Sequence, residues 1–137
     1  MALRSIALRA ADERGSSVVE GLLALGLVLL AFAIGAEALI FVEARTIAVG
    51  AAQQGARAAA AGGESAGLAA AHAVLAAGGG LARGLSASIE EQGDTVTAVV
   101  EGSPPVLFGI GIRLPAIRTA ATVPQERYPA SELETGP

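Results

Sequence analysis

Hydrophobic residues are distributed very unevenly along this chain. Residues 21–36 contain no charged or strongly polar side chain, and the apolar run extends to residue 42 if the single Glu37 is admitted. A helix needs roughly 20 apolar residues to cross a bilayer, so this run is long enough. Its leucine and valine density is far above that of an amphipathic core helix. The pattern therefore predicts one transmembrane helix at about residues 21–42.

The helical pattern continues beyond the predicted span. Residues 43–61 are rich in alanine, glutamine and arginine, which are good helix formers, and no proline occurs in residues 16–61. Gly62 and Gly63 form a suitable C-terminal stop. The sequence therefore predicts one long helix at residues 16–61 that projects well beyond the bilayer.

Residues 62–124, here called the head, begin with a second helical pattern. Ser65 is a suitable N-cap for a short helix that runs to about residue 77. Apolar positions recur in this helix at i, i+3, i+4 and i+7, namely Leu68, Ala71, His72 and Leu75. Three consecutive glycines, residues 78–80, then end it.

Three strands are predicted in the rest of the head. Residues 85–91 and 95–101 are strand-like and flank a turn at Gln92-Gly93-Asp94, and residues 116–123 alternate between apolar and other side chains. Ser103-Pro104-Pro105 ends the second strand, and residues 106–114 form an apolar, glycine-rich loop. The polar residues 125–137 are expected to be disordered.

These elements define an α+β fold. A long N-terminal transmembrane helix extends into a small head with one short helix and a three-stranded antiparallel sheet. Residues 1–15 precede the long helix as a separate leader.

Composition and charge exclude several function classes. The chain is 53% hydrophobic but only 3% aromatic, and alanine, which buries little area, dominates. A self-sufficient enzyme core is therefore not expected. The net charge is −4, lysine is absent and the arginines are scattered, so nucleic-acid binding has no electrostatic basis. The absence of cysteine excludes disulfides, thiolate nucleophiles and zinc ribbons.

The charges beside the span predict its orientation. In residues 1–15, three arginines outnumber two acidic residues, whereas beyond the span Glu43 precedes the first arginine, Arg45. The positive-inside rule places the more basic flank in the cytoplasm. We therefore expect a single-pass protein of the cell membrane, with its N-terminus in the cytoplasm and the head outside.

The residues just before the span form a motif, Arg14-Gly15-Ser16-Ser17-Val18-Val19-Glu20. A short basic leader, a glycine, four residues and a glutamate at the start of the span resemble a type IV prepilin. In that family a prepilin peptidase cuts after the glycine, and the glutamate pairs with the new N-terminal amine of a neighbouring subunit. The resemblance implies processing between Gly15 and Ser16 and a role in subunit assembly for Glu20. The alternative is the juxtamembrane flank of an ordinary signal anchor.

Other segments resemble one branch of these proteins, the TadE family of pseudopilins from the tight adherence (Tad) pilus machinery. The resemblance rests on Glu37 late in the apolar run, on Glu43-Ala44-Arg45, and on Gln54-Gly55-Ala56-Arg57. It covers roughly residues 12–126. One departure is Gly21, which stands where the family usually has an aromatic residue after the key glutamate.

The family resemblance implies a structural or assembly-priming subunit rather than an enzyme. Its partners would be other pilins through the N-terminal helix, a prepilin peptidase, the membrane platform of pilus assembly and membrane lipid. Glu37 is a second candidate assembly residue, which either pairs with an arginine such as Arg45 of another subunit or is solvated at the membrane edge.

Other candidate sites have little support. His72 is the only histidine and cannot build a metal site alone. Ser16 and Ser17 have no histidine base close in sequence, so a nucleophile role has little support. The triple glycine lacks the Lys-Ser/Thr element of a phosphate loop. The acidic residues at the predicted hairpin turn, Glu90, Glu91 and Asp94, fit a solvated turn better than a calcium site. We therefore predict no catalytic residue, metal or cofactor.

Two other functions remain open. Ala36-Glu37-Ala38 is a possible signal-peptidase site, so the chain could be a secreted protein with a long signal peptide. It could also be a plain membrane anchor for a small binding domain.

Overall fold

The computed structural model describes the backbone of residues 2–109, 111 and 113–125, with side chains from residue 17 onward in those ranges. The elements are helices α1 (Ala2–Gly62) and α2 (Glu64–Ala77), a short 3-10 helix (Gly79–Ala82), and strands β1 (Leu85–Gln92), β2 (Thr95–Gly102) and β3 (Ile117–Pro124). The predicted α+β architecture is confirmed. The chain forms two compact units, Met1–Ala38 and Leu39–Pro137. The tail predicted to be disordered lies, from residue 126 onward, outside the described residues.

Helix α1 is longer than the sequence pattern suggested, because it begins at Ala2 rather than Ser16. Residues 2–14 contain neither proline nor glycine, so nothing in the backbone chemistry interrupts the helix there. From Ser17 onward α1 is long and apolar enough to cross a membrane. Its large apolar side chains between Val18 and Phe32 are 47% to 70% exposed. Such all-round apolar exposure is typical of a helix that faces lipid.

Helix α2 follows α1 after a single residue, Gly63, whose positive φ of 82° allows the chain to reverse. The predicted N-cap at Ser65 is wrong, because α2 begins at Glu64 and Gly63 takes the cap position without a side-chain hydrogen bond. A backbone hydrogen bond stabilises this junction, because the Gly67 N–H donates to the Gly63 carbonyl at 3.1 Å. Of the predicted apolar stripe, Ala71 and Leu75 are buried and Leu68 is half-buried, but His72 is exposed. The buried positions are Gly67, Ala71 and Leu75.

Helices α1 and α2 approach closely where glycines face each other. A Cβ placed on Gly67 would lie 2.5 Å from the Ala59 Cβ and 2.8 Å from the Gly55 carbonyl oxygen. A Cβ on Gly55 would lie 3.1 Å from the Ala71 Cβ. The backbones can therefore come this close only because both positions lack a side chain.

The sheet is an antiparallel meander in the order β1-β2-β3, and all three predicted strands are confirmed to within one residue. Its inner face carries apolar side chains, of which Val96 and Val100 on the central strand are fully buried. The outer face is mostly small and polar apart from Val99, which is 6% exposed, and it has a 2.9 Å hydrogen bond between the hydroxyls of Thr97 and Thr122. At the open end of the β1–β2 hairpin, a Cβ on Gly102 would collide with the Gly84 carbonyl oxygen.

The core lies in the unit Leu39–Pro137 and consists mostly of small side chains. Helix α1 contributes an alanine stripe, and the other elements contribute a few larger residues. The core cluster comprises Ala44, Ala48, Ala51, Ala52, Leu75, Ala82, Val100 and Ile117. The segment of α1 beyond the predicted membrane span is therefore one wall of the head and not a free stalk.

Candidate assembly site on the long helix

The predicted processing residues, Gly15 and Ser16, lie within helix α1. The side chain of Ser16 lies outside the described residues. Cleavage between Gly15 and Ser16 stays a prediction from the sequence motif. The first described side chains, from Ser17 onward, are exposed.

Glu20 lies on an otherwise apolar surface of α1. Its side chain is exposed, as are those of its neighbours Val19 (57%), Leu22 (65%) and Leu23 (66%). Among the residues that the structure describes, none forms an ion pair with it. A carboxylate in this position would face lipid or a second protein if α1 spans a membrane. A lipid-facing carboxylate is costly unless a cation compensates it.

Glu37 has a very different environment, although it lies on the same helix. It is only 2% exposed, whereas Ile34 and Leu39 beside it are 44% and 62% exposed. Seventeen residues separate it from Glu20, or about 25 Å along a helix at 1.5 Å per residue. The structure does not bring the two predicted assembly residues together. The intersubunit role of Glu37 stays a prediction, but solvation at the membrane edge does not fit its burial.

Arg45, the candidate partner of Glu37 in a neighbouring subunit, is exposed beside an open groove of about 420 Å³. The groove is lined by Phe41, Val42, Arg45, Thr46 and Val49. The Thr46 hydroxyl is turned back to the helix, where it donates to the Val42 carbonyl at 2.9 Å. Arg45 is therefore the charged group of an otherwise mainly apolar groove.

The weaker candidate sites are exposed and separate. His72 lies on the outer side of α2, and Glu90, Glu91 and Asp94 are exposed around the β1–β2 hairpin. The Asp94 carbonyl accepts a 2.7 Å hydrogen bond from the Gln125 N–H, which ties the end of β3 to this turn. No cluster of three metal-ligating side chains occurs in the described part of the chain.

The loop between β2 and β3 carries an exposed apolar surface that the sequence analysis did not predict. Val106, Leu107 and Phe108, in the loop between β2 and β3, are exposed by 50%, 59% and 46%. The signal was present, because three large apolar residues directly follow Pro104-Pro105, a position where a turn usually carries polar residues. The apolar, glycine-rich pattern of residues 106–114 predicts a loop but not its exposure.

No family model matches this sequence, and neither a curated protein nor a solved structure is significantly similar to it.

Proposed function

We propose that the chain is a minor pilin or pseudopilin of a Tad-type pilus, a structural or assembly-priming subunit in surface attachment or secretion. The observation that carries the proposal is the exposed Glu20 on the apolar surface of α1. The long helix joined to a small α+β head supports it as an architecture suited to packing many copies side by side.

An exposed carboxylate inside a membrane helix needs a compensating group. On insertion scales an acidic residue at the centre of a span costs roughly 2.5–3.5 kcal/mol, and less nearer the interface. Cleavage after Gly15 would create an amine at Ser16, four residues before Glu20. The same amine on a neighbouring copy or another pilin can meet Glu20 between the helices. Such a pair offsets the cost and fixes the axial register of the subunits.

The proposal includes an orientation and a set of partners. The basic leader is in the cytoplasm and the head is outside, as the arginine distribution favours. Partners are other pilins through the exposed face of α1, a prepilin peptidase acting on the leader, and the membrane platform that extracts subunits. The protein itself carries no catalytic role in this scheme.

The test compares Glu20→Ala and Glu20→Gln with the control Glu43→Ala, which removes an exposed carboxylate beyond the predicted span. Tagged copies are cross-linked in the membrane and co-purified with untagged copies and with other pilus subunits. Both Glu20 variants should insert at normal abundance but lose most of this association, since charge rather than size is at stake. The Glu43 variant should associate normally. Unchanged association of Glu20→Ala at normal abundance would overturn the role of Glu20 and the proposal built on it.

A further inference from the structure

The β2–β3 loop carries an apolar surface that the head leaves open. Val106, Leu107 and Phe108 are each about half exposed, although they follow the buried Pro104 by only a few residues. Outside α1, these three are the large exposed hydrophobic side chains among the described residues. A cluster of this kind marks a surface that contacts another apolar phase.

The contacts within the unit Leu39–Pro137 show at which end this loop lies. Helix α2 runs antiparallel to α1, because Gly67 faces Ala59 near the end of α1 whereas Gly78 faces Ile47, twelve residues earlier. The chain therefore returns along α1 toward the end at which α1 enters the unit. The 3-10 helix and the start of β1 follow at that end.

Strand β2 runs along α1 in the same direction as α2. A Cβ on Gly55 would lie 3.4 Å from the Ala98 Cβ, whereas the Ser103 carbonyl just after β2 lies against Gly84, six residues after Gly78, which faces Ile47. Strand β2 therefore runs back along α1 and ends beside its earlier residues. The loop leaves β2 next to Gly84, since a Cβ on Gly84 would lie 2.8 Å from the Ser103 carbonyl oxygen.

The end of the unit that carries the loop is also the end of the apolar run. Leu39 and Val42, which are 62% and 56% exposed, close the predicted membrane span at residue 42. The exposed side chains of the loop and the last apolar turn of α1 thus lie at the same end of one compact unit. The predicted span therefore ends at the same end of this unit that carries the loop.

We propose that Val106, Leu107 and Phe108 insert into the boundary between lipid headgroups and acyl chains, as a second membrane contact beside α1. Shallow insertion of a few large apolar side chains is sufficient for such an interfacial contact. The exposed Arg113 further along the loop adds a positive charge that can pair with lipid phosphate groups. The inference rests on the membrane span of the proposed function but not on its pilin role.

The experiment uses the full chain in phosphatidylcholine vesicles. Because the native sequence contains no cysteine, single cysteines can be introduced and labelled with a fluorophore without background. The sites are Leu107→Cys in the loop, Leu27→Cys in the span, and Ser65→Cys at the start of α2, at the opposite end of the head. Each label is exposed to a phosphatidylcholine that carries a nitroxide high on its acyl chain, and separately to aqueous iodide.

The Leu107 label should lose about half of its fluorescence to the lipid nitroxide and should be protected from iodide, as expected for interfacial depth. The Ser65 label should show the reverse. A Leu107 label that responds to iodide alone overturns the proposal. Protection from both quenchers also overturns it, because the loop would then be covered by protein.

The span label separates this proposal from the membrane anchoring on which it rests. Quenching of Leu27 without quenching of Leu107 means that α1 is inserted while the loop contacts no lipid. If neither label responds to the lipid nitroxide, both the span and the loop contact are wrong. Quenching of Leu107 alone supports the loop contact and overturns the span.

Discussion

Glycine at two facing positions determines how the head can close. Gly55 on α1 and Gly67 on α2 leave the two backbones without intervening side chains, and Ala59 and Ala71 complete the contact. Small residues at a helix crossing permit more van der Waals contact per turn, but they leave no space for enlargement.

The first prediction follows from this crossing. Gly67→Ala should lower the free energy of unfolding by about 1–3 kcal/mol, because its Cβ would meet Ala59 and the Gly55 carbonyl. Gly50→Ala is the matched control, since its Cβ would lie 3.8 Å from a Val74 methyl and alanine favours the helix. It should be neutral or slightly stabilising.

The measurement is hydrogen exchange of the β2 amides in detergent-solubilised protein, because these amides report opening of the head. Equal protection of the β2 amides from exchange in the Gly67 and Gly50 variants would contradict the close α1–α2 contact at Gly67.

The second prediction concerns processing. Gly15→Val should block cleavage between Gly15 and Ser16, because a branched side chain crowds the scissile bond. Mass spectrometry of the membrane fraction, in cells with and without the prepilin peptidase, checks this. Identical masses in the two strains for the unmodified chain would remove the processing step from the proposed function.

Single residues were only partly predictable from the sequence. The small side chains indicated a thin core, but not that Gly55 would meet Gly67, since this depends on a long-range crossing of two helices. Ser65 has the chemistry of an N-cap, yet the one-residue reversal at Gly63 moves the start of α2. The sequence leaves Glu37 either solvated at the membrane edge or paired with an arginine of another subunit, and nothing local in the sequence indicates its burial.

At the scale of elements, the two faces of the sheet differ in how much they contribute to the stability of the head. The inner face joins β2 to the alanine stripe of α1 through Val100. The outer face holds hydroxyls and the Arg118–Glu101 ion pair, which is 3.7 Å long with both side chains more than half exposed. Stability should therefore come from the inner face.

The third prediction compares these faces directly. Val100→Ala should reduce the free energy of unfolding by roughly 2 kcal/mol, because it removes buried methyl groups from a core that alanines cannot refill. Arg118→Ala, one position away on the register of the neighbouring strand, should change it by less than about 0.5 kcal/mol. Urea unfolding of the solubilised protein measures both. Similar effects would contradict the assignment of the core to the inner face.

The elements themselves were largely predictable. Alternation of apolar and polar positions located β1 to β3, and Gln92-Gly93-Asp94 located the hairpin. The start of α1 was not predictable, because the basic and polar composition of residues 1–15 favoured a separate leader over a continuation of the helix. The apolar loop was located, but its exposure depends on the tertiary packing of Pro104 and Ile117.

At the scale of the whole molecule, the fourth prediction concerns orientation. A reporter that is active only outside the cytoplasm, fused after Pro137, should be active, because the arginine-rich flank precedes the span. The control is the same reporter fused after Arg45 in a chain whose three leader arginines are replaced by glutamate. In this control the reporter should lose its activity. Strong activity of a cytoplasm-only reporter after Pro137 would overturn the orientation.

The fifth prediction separates the three functions left open by the sequence. N-terminal sequencing of the mature protein should begin at Ser16. A start after Ala38 would support a secreted protein, although that cut would fall inside α1 and would remove the buried Glu37. A start at Met1 would support a plain anchor.

The alanine stripe of α1 has a consequence for the order of events during synthesis. Ala44 and Ile117 belong to one core, although some seventy residues separate them along the chain. The first of these leaves the ribosome long before the second, so the core remains open until β3 has been made. If the head is exported, its segments must cross the membrane before they can close on α1. A translocation channel would therefore handle an unfolded chain, and folding would be completed only on the far side, beside the lipid surface.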